Sequence, residues 1–268
     1  MLSFFRKIRL TLLGNGSIGK YLKYAIGEIV LVVIGILLAL QINNWNEDQK
    51  IQRKERILLQ NLQEEFQTQI SAMETYIEIQ QLVIEDIEVI IEHYNNHGFT
   101  QLDSIFKRIN DVSIRTTFTN QISSLTEMIA SGEINILDNQ DLKKDLLRFN
   151  QSMQTFMDIT KNNNTYLIDQ IMVPSVIKHS DFASYGYTDK LVEALTQFEG
   201  NLTTAKSKRK QHRDSVERIL GNPENSLQFI NQIVLRFNLA TIQCKSNQIL
   251  IEKARTILEK LENELSNS

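Results

Sequence analysis

A run of apolar residues near the N-terminus is the strongest pattern in the chain. From Ile29 to Leu40, twelve consecutive positions carry no polar side chain. Widened to residues 25–42, the run has eighteen residues, and a helix of that length spans about 27 Å, close to the roughly 30 Å of a bilayer's hydrocarbon core. Tyr21 and Tyr24 on one side and Trp45 on the other are typical of membrane interfaces. The pattern predicts a transmembrane anchor over residues 21–45.

The charges around the apolar run predict its orientation. Five basic residues and no acidic one precede it, namely Arg6, Lys7, Arg9, Lys20 and Lys23, whereas charges of both signs follow it. By the positive-inside rule, the basic segment at residues 1–20 lies in the cytoplasm and residues 46–268 lie outside. A cleaved signal peptide is the alternative. The end of the run, residues 38–42, lacks the small-x-small cleavage pattern, which favours a retained anchor.

Beyond the anchor, apolar positions recur with helical spacing. No glycine or proline stands between Gly35 and Gly98, and apolar or neutral positions step by four and three. They are Leu58, Leu62, Phe66, Ile70, Met73, Ile77, Gln80, Ile84, Ile87, Ile91 and Tyr94. This narrow heptad seam predicts a long helix to about residue 95.

The scarcity of glycine and proline beyond the anchor predicts further helices. Short helices are expected over residues 102–109 and 118–129, the second ended by Gly132. A longer helix begins after Asp138 or Asn139 as N-cap and ends before Pro174, a loop covers residues 174–187, and a helix follows over 191–219. Asn222 and Pro223 then open a helix to about Leu265. The predicted fold is all-α: an N-terminal transmembrane helix followed, over residues 46–268, by an elongated antiparallel bundle with coiled-coil-like helices.

Composition narrows the function classes. Without the first 45 residues, the chain has 24 basic and 31 acidic residues, a balance that argues against nucleic-acid binding. The single cysteine, Cys244, excludes an internal disulfide and falls in register with apolar positions, which indicates a buried thiol rather than a nucleophile. No nucleophile with a base, metal-ligand set or phosphate loop is recognisable. We therefore expect no enzyme, no catalytic residue, no cofactor and no metal site.

Within the anchor, three residues invite functional interpretations. Glu28 is an acid inside the apolar segment, where it either meets a buried partner or extends its carboxylate to the cytoplasmic interface near Lys20 and Lys23. Gly35 and Ala39 have the small-xxx-small spacing that lets two helices approach closely, although glycine is also common in ordinary spans. A dimer contact and a lone span both remain open.

Two charged runs and a histidine pair are candidates outside the anchor. The basic run is Lys206, Lys208, Arg209, Lys210, His212 and Arg213, and the acidic run is Glu85, Asp86, Glu88 and Glu92. Such runs are solvated faces, or they dock on each other, or the basic one docks on anionic lipid or a polyanion. His93 and His97 have the spacing for two metal ligands, but no third ligand accompanies them and the dipole of a helix C-terminus also explains them.

Two segments resemble a known family. Residues 4–9 and 19–47, including the stretch Ala39-Leu40-Gln41-Ile42-Asn43-Asn44-Trp45, are similar to the N-terminal signature of uncharacterised, membrane-anchored helical proteins of Bacteroidota. Residues 131–137, followed by Leu142, are a weaker match. The resemblance implies a bacterial inner-membrane location with the bulk of the chain periplasmic, and no activity.

The expected function is that of an interaction protein. An anchored helical bundle outside the inner membrane would bind another envelope protein or a second copy of itself, as a scaffold component. The alternative is a ligand sensor that works with a separate output subunit, because residues 1–20 are too few for an output domain. A sensor would show convergent Arg, Asn or Tyr side chains in a cavity, whereas an interaction protein would show a filled core and an exposed apolar patch.

Overall fold

The computed structural model of the protein describes residues 18–196 and 212–267, and within these ranges every regular element is helical. The all-α prediction is confirmed for them. The α-helices are α1 (Ile18–His97), α2 (Phe106–Asp111), α3 (Ser123–Ser131), α4 (Gln140–Asn163), α5 (Val173–His179), α6 (Phe182–Tyr185), α7 (Asp189–Thr196), α8 (His212–Leu220) and α9 (Pro223–Asn267). A 3-10 turn covers each of Leu102–Ser104 and Glu133–Ile136, and a π-helix covers Asn164–Met172.

The chain divides into two units, Met1–Ile57 and Leu58–Ser268. In the first unit, an 18-residue window of the N-terminal helix has a mean hydropathy of 2.6, and none of it is buried. Apolar side chains from Ile26 to Ile42 are exposed around the helix. This helix is long and apolar enough to cross a membrane once, as the sequence predicts.

The second unit buries two apolar clusters. Cluster 1 joins α1 residues 59–76 to α3, α4 and the second half of α9, with Phe66 and Phe149 ring centroids 5.0 Å apart. Cluster 2 joins α1 residues 83–90 to α2, the π-helix, α5, α8 and the first half of α9, with Phe99 and Phe229 5.3 Å apart. One helix face of α1 and one of α9 therefore supply both clusters.

The buried face of each long helix follows a heptad. In α1 it consists of positions 59, 62, 66, 69, 73, 76, 80, 83, 87 and 90, with Ile70 and Asp86 buried beside it, and in α9 it includes 233, 236, 240, 243, 247, 250, 254, 257 and 261. The predicted seam is one residue off at Ile77, Ile84 and Ile91, which are only half-buried. The neighbouring buried positions, Tyr76, Val83 and Ile90, are apolar as well, so spacing alone does not show which of the two stripes faces the core.

Local capping chemistry sets three helix ends as predicted, whereas α3 begins at Ser123 and not at the predicted residue 118. Asn139, rather than Asp138, caps α4, since its Oδ1 accepts from the backbone N–H groups of Asp141 at 3.0 Å and Leu142 at 2.9 Å. Asn222 Oδ1 accepts from the N–H of Glu224 at 2.8 Å, one residue after Pro223 opens α9. Gly132, with φ of 78°, ends α3 in the left-handed conformation that glycine adopts without strain.

The predicted loop at residues 174–187 is wrong. The π-helix ends at Met172, and α5 begins at once with Pro174 in its first turn, followed by α6. A proline needs no hydrogen-bond acceptor in a first turn, so the chain passes it without leaving helical conformation. The predicted helix over 191–219 corresponds to α7 and α8, and its residues 197–211 lie outside the described ranges.

Candidate functional site

A buried polar layer lies between the two apolar clusters. On α1, Gln80 falls between the buried residues Tyr76 and Val83. Its Nε2 donates to Tyr76 OH at 3.2 Å and to Thr116 Oγ1 at 2.5 Å. Asn164, the first residue of the π-helix, donates through Nδ2 to the carbonyl of Thr116 at 2.8 Å. The name polar layer is used below for five residues, of which the last is described next: Tyr76, Gln80, Thr116, Asn164 and Arg236.

Arg236 on α9 is a buried cation with neutral partners. Arg236 is 2% exposed. Its Nε donates to the carbonyl of Val112 at 3.3 Å, and its Nη1 and Nη2 donate to Gln80 Oε1 at 3.4 Å each. No carboxylate pairs with it within the described ranges. Burial lowers the pKa of Arg236 to about 10, which still leaves the guanidinium charged at neutral pH. Burial also raises the pKa of the neighbouring Tyr76 phenol, so this group is neutral.

Polar residues continue along the buried face of α9. Asn247 donates through Nδ2 to the carbonyl of Met73 at 2.8 Å, while its Oδ1 is buried without a hydrogen-bond partner. Gln243 lies between Asn247 and Arg236 on the heptad and is also buried. Sequence reasoning missed Arg236, Gln243 and Asn247 because they are polar. These residues could have been found by extending the 3.5-residue spacing of the core positions through polar as well as apolar residues.

An open groove runs between α4 and α9 over this polar stretch. It encloses about 560 Å³ and is called here the α4/α9 groove. Its lining consists of Gln151, Ser152, Thr155, Phe156, Ile159 and Asn163 from α4, and Leu239, Ile242, Gln243, Ser246, Ile249, Leu250 and Lys253 from α9. Ile159, Ile242 and Ile249 are 49%, 57% and 54% exposed, so the lining leaves three large apolar side chains open to solvent. The groove is thus an exposed apolar surface beside a filled core.

Charge in the α4/α9 groove is one-sided. Lys253, at one end, is the single charged residue of the lining, and its Nζ donates to Ser152 Oγ at 3.3 Å. Arg148 is exposed one helical turn before Ser152, on the same face of α4. The opposite end, at Asn163 and Leu239, is uncharged. Among the residues that the structure describes, no acidic side chain lines the groove, so its electrostatic character is positive at the Lys253 end.

The predicted acidic run is divided by the fold. Glu85, Glu88 and Glu92 are exposed, but Asp86 is buried, and Arg108 Nη1 donates to its Oδ1. The prediction that all four acidic residues belong to a solvated or docking surface is therefore wrong for Asp86. Residue spacing alone could not reveal this, because Arg108 comes from α2, 22 positions along the chain.

Asp86 also lies beside a second buried carboxyl group. Asp111, at the end of α2, accepts from the backbone N–H of Thr188 at 3.0 Å and from the Thr188 hydroxyl. Burial, together with the neighbouring Asp86 carboxyl, raises the pKa of Asp111 to about 8. The Asp111 carboxyl therefore holds a proton at neutral pH while it anchors the N-terminus of α7.

In the basic run, the structure describes His212, which is exposed, and Arg213, which has partners within the unit. Arg213 Nη1 donates to Asp103 Oδ2 at 2.6 Å, and its Nε lies 3.6 Å from Glu217 Oε1. Lys206, Lys208, Arg209 and Lys210 lie outside the described ranges. Docking of the whole basic run on the acidic run stays a prediction.

The predicted anchor residues lie on α1 in the first unit. The side chains of Tyr21 and Tyr24 are outside the described part, whereas Trp45 is exposed and Glu28 is half-buried. A Cβ added at Gly35 meets no atom within 4 Å, so the face that Gly35 and Ala39 share is open to a neighbour.

The histidine pair and the cysteine have ordinary surroundings. His93 and His97 ring centroids are 5.1 Å apart, and His93 Nε2 bonds the carbonyl of Thr100 at 2.7 Å. In the described part of the chain, no three His, Cys, Asp or Glu residues converge as metal ligands. Cys244 is buried, and burial raises the pKa of its thiol, as for a packed side chain.

Comparison with protein families gives one match. The model described as "Family of unknown function (DUF6090)" matches residues 28–166, about half of the chain. The chain belongs to this family. Of the resemblance at residues 4–9 and 19–47, the DUF6090 match covers residues 28–47, and it also covers residues 131–142, the acidic run and α4 but not α9. No curated protein and no solved structure matches the chain.

Proposed function

We propose that this protein is an inner-membrane-anchored, periplasmic interaction or scaffold component of a bacterial cell envelope. The α4/α9 groove carries the proposal, because it leaves three large apolar side chains exposed beside a core that is otherwise filled. A groove between two helices that is lined by exposed apolar side chains is a common form of protein-binding surface. The apolar N-terminal helix supports attachment to a membrane, and the five basic residues before it support an extracytoplasmic position for residues 46–268.

In this proposal, the second unit is an antiparallel, coiled-coil-like bundle. Contacts between α4 and α9 support it, because higher numbers on α4 meet lower numbers on α9. Asn139 donates to Glu264 at 2.5 Å, Asp145 pairs with Lys260 at 2.6 Å, and Ser152 accepts from Lys253 at 3.3 Å. The heptads of α1 and α9 support the coiled-coil-like packing.

Reciprocal purification tests the proposed function. After cross-linking in living cells, the tagged full chain should enrich a specific envelope protein, and that protein, when tagged, should enrich this chain. A tagged variant that ends at Ile57 retains the apolar helix and serves as the matched control for membrane attachment alone. Equal recovery of every protein with the chain and with this control would contradict an interaction role for residues 58–268.

A ligand sensor is the second candidate, and Arg236 favours it. A buried guanidinium bonded only to neutral groups has strong attraction for an anion, and Asn247 Oδ1 is an unpartnered acceptor further along α9. Native mass spectrometry of the protein purified from its own cells tests this function. A bound small molecule that is absent from an Arg236→Met variant would favour the sensor, and identical masses apart from the substitution would argue against it.

A further inference from the structure

We infer that the α4/α9 groove is a docking site for one amphipathic helix of a partner protein, with acidic residues at the end that lies beside Lys253. This inference rests on the proposed interaction function and specifies the chemistry of the partner. The lining runs over residues 151–163 of α4, which is about 18 Å of helix, enough to seat about three turns of a docked helix.

The spacing of the exposed apolar residues matches a helical partner. Ile242 and Ile249 are seven residues apart on α9, two turns along the same face, and Ile159 faces them from α4. A docked helix presents its apolar side chains at the same i, i+3 or i+4, i+7 spacing. Each can therefore pack between the exposed isoleucines, while the rim hydroxyl and amide groups of Ser246, Thr155 and Gln151 remain in contact with water.

Charge selects the partner's sequence and its register. Lys253 lies one turn beyond Ile249, Arg148 extends the same end of the groove from α4, and neither has an ion-pair partner within the described ranges. Two cations at one end and no charge at the other favour a helix that is acidic at one end only. Such a helix gains attraction in one placement along the groove and loses it when reversed or shifted.

The open form of the groove favours a helix over a lipid chain. A site that holds a small apolar ligand encloses most of the ligand's surface. Here about half of each isoleucine faces solvent, so the groove forms one wall of an interface rather than a closed cavity. A lipid adduct and an adduct with a second copy of this chain are outcomes of the test that overturn the inference.

Site-specific photocross-linking of the full chain in its own cells is the test. A photoreactive amino acid replaces Ile242 or Ile249 in the groove, and Ile177 on α5, which is 69% exposed, is the matched control. We expect polypeptide adducts at Ile242 and Ile249 at least tenfold above those at Ile177. Peptide sequencing of the adduct should place the cross-link in an amphipathic helical segment with Asp or Glu one to two turns away.

Charge reversal sharpens the test. The double variant Arg148→Glu and Lys253→Glu should lower the adduct yield at Ile242 more than fivefold, and less so at high salt. Lys245→Glu changes an exposed lysine of α9 that does not line the groove and should leave the yield unchanged. Circular dichroism of each variant should show the wild-type helix content, since all three side chains are exposed.

The outcomes separate this inference from the function on which it rests. Adducts at Ile177 without adducts at Ile242 and Ile249 would overturn the docking groove and leave an interaction function in place. A cross-linked segment without acidic residues, or a yield insensitive to charge reversal, would overturn the stated partner chemistry. No polypeptide adduct at any position, together with no reciprocal partner, would overturn both proposals.

Discussion

Residues 29–40 and residues 59–90 both belong to α1, yet they use apolar side chains in opposite ways. In the first stretch, apolar side chains point in all directions and stay exposed, whereas in the second they are buried at alternating steps of three and four. The first pattern suits contact with lipid on every face, and the second suits contact with protein on one face. One continuous helix therefore contains a segment suited to a lipid environment and a segment suited to a protein interior.

Polar residues sharpen the difference. The run at residues 29–40 has none, while the heptad of α1 includes the buried side chains of Gln69 and Gln80. Gln69 Oε1 accepts from the backbone N–H of Gln121 at 2.6 Å, and Gln80 bonds three partners in the polar layer. A protein interior provides such partners and hydrocarbon does not, which is why polar seam residues occur in the second stretch alone.

The largest expected effect concerns the orientation of the apolar run. A reporter enzyme fused after Ser268 should be active only outside the cytoplasm, because five basic residues precede the run. Neutralising these five residues together should move a large fraction of the fused reporter to the cytoplasmic side. Matched reporters that are active on opposite sides of the membrane provide the measurement. Cytoplasmic activity of the unaltered fusion would contradict the assigned orientation.

A core truncation should distinguish the two stretches by stability. Phe66 is fully buried against Phe149, so Phe66→Ala should lower the free energy of unfolding by about 3–5 kcal/mol. Ile34→Ala, in the exposed run, should leave the unfolding of the second unit unchanged. Urea unfolding of the full chain in a mild detergent, followed by circular dichroism, compares them. Equal losses from both variants would mean that the exposed run also packs against protein.

The buried carboxyl pair predicts a pH dependence for the second unit. Because the pKa of Asp111 is raised to about 8 in the fold, the folded state retains a proton that the unfolded chain releases near pH 4. The free energy of unfolding should therefore fall as pH rises from about 4 to 8, by at most about 1.4 kcal/mol per pH unit. Asp111→Asn should remove this slope, and Asp141→Asn, at an exposed carboxylate, should not. A slope that persists in Asp111→Asn would contradict the assignment.

The smallest expected effect comes from the buried cation. Arg236→Met keeps a long side chain but leaves the buried Gln80 Oε1 and the Val112 carbonyl without the donor that Arg236 supplies, so the free energy of unfolding should fall by about 1 kcal/mol. Arg148→Met, at an exposed position, should change the free energy of unfolding by less than about 0.5 kcal/mol. Thermal unfolding of residues 46–268 measures both. An unchanged or raised free energy of unfolding in Arg236→Met would show that burying the guanidinium costs as much as its hydrogen bonds contribute.

The helix ends show how far local sequence reasoning reaches. Asn139, Gly132 and Asn222 act where expected, because a capping side chain or a left-handed glycine bonds backbone groups only a few residues away. In contrast, α3 has no cap of its own. The Glu65 carboxylate of α1 accepts from the N–H of Ser124 at 3.0 Å, a contact 59 positions apart that no local rule predicts.

The candidate site was the part of the molecule that the sequence predicted least well, because it too depends on contacts between residues far apart in the chain. Two neighbouring apolar stripes fit the same spacing, and the predicted seam followed Ile77 and Ile84 instead of the buried Tyr76 and Val83. Polar residues such as Arg236 and Asn247 belong to the buried face only because partners from other helices satisfy most of their hydrogen-bonding groups. The α4/α9 groove likewise exists only where two helices lie side by side.

By itself, the sequence determined that the chain is helical, where α4 and α9 begin and α3 ends, and that one segment is apolar on every face. These properties depend on the composition and spacing of neighbouring residues, which act over a few turns of one helix. Tertiary structure decided which stripe of α1 is buried, that Asp86 pairs with Arg108, and that Ile159, Ile242 and Ile249 share one open groove. These depend on contacts between residues far apart in the chain, and such contacts alone decide whether a polar side chain is buried or an apolar one stays exposed.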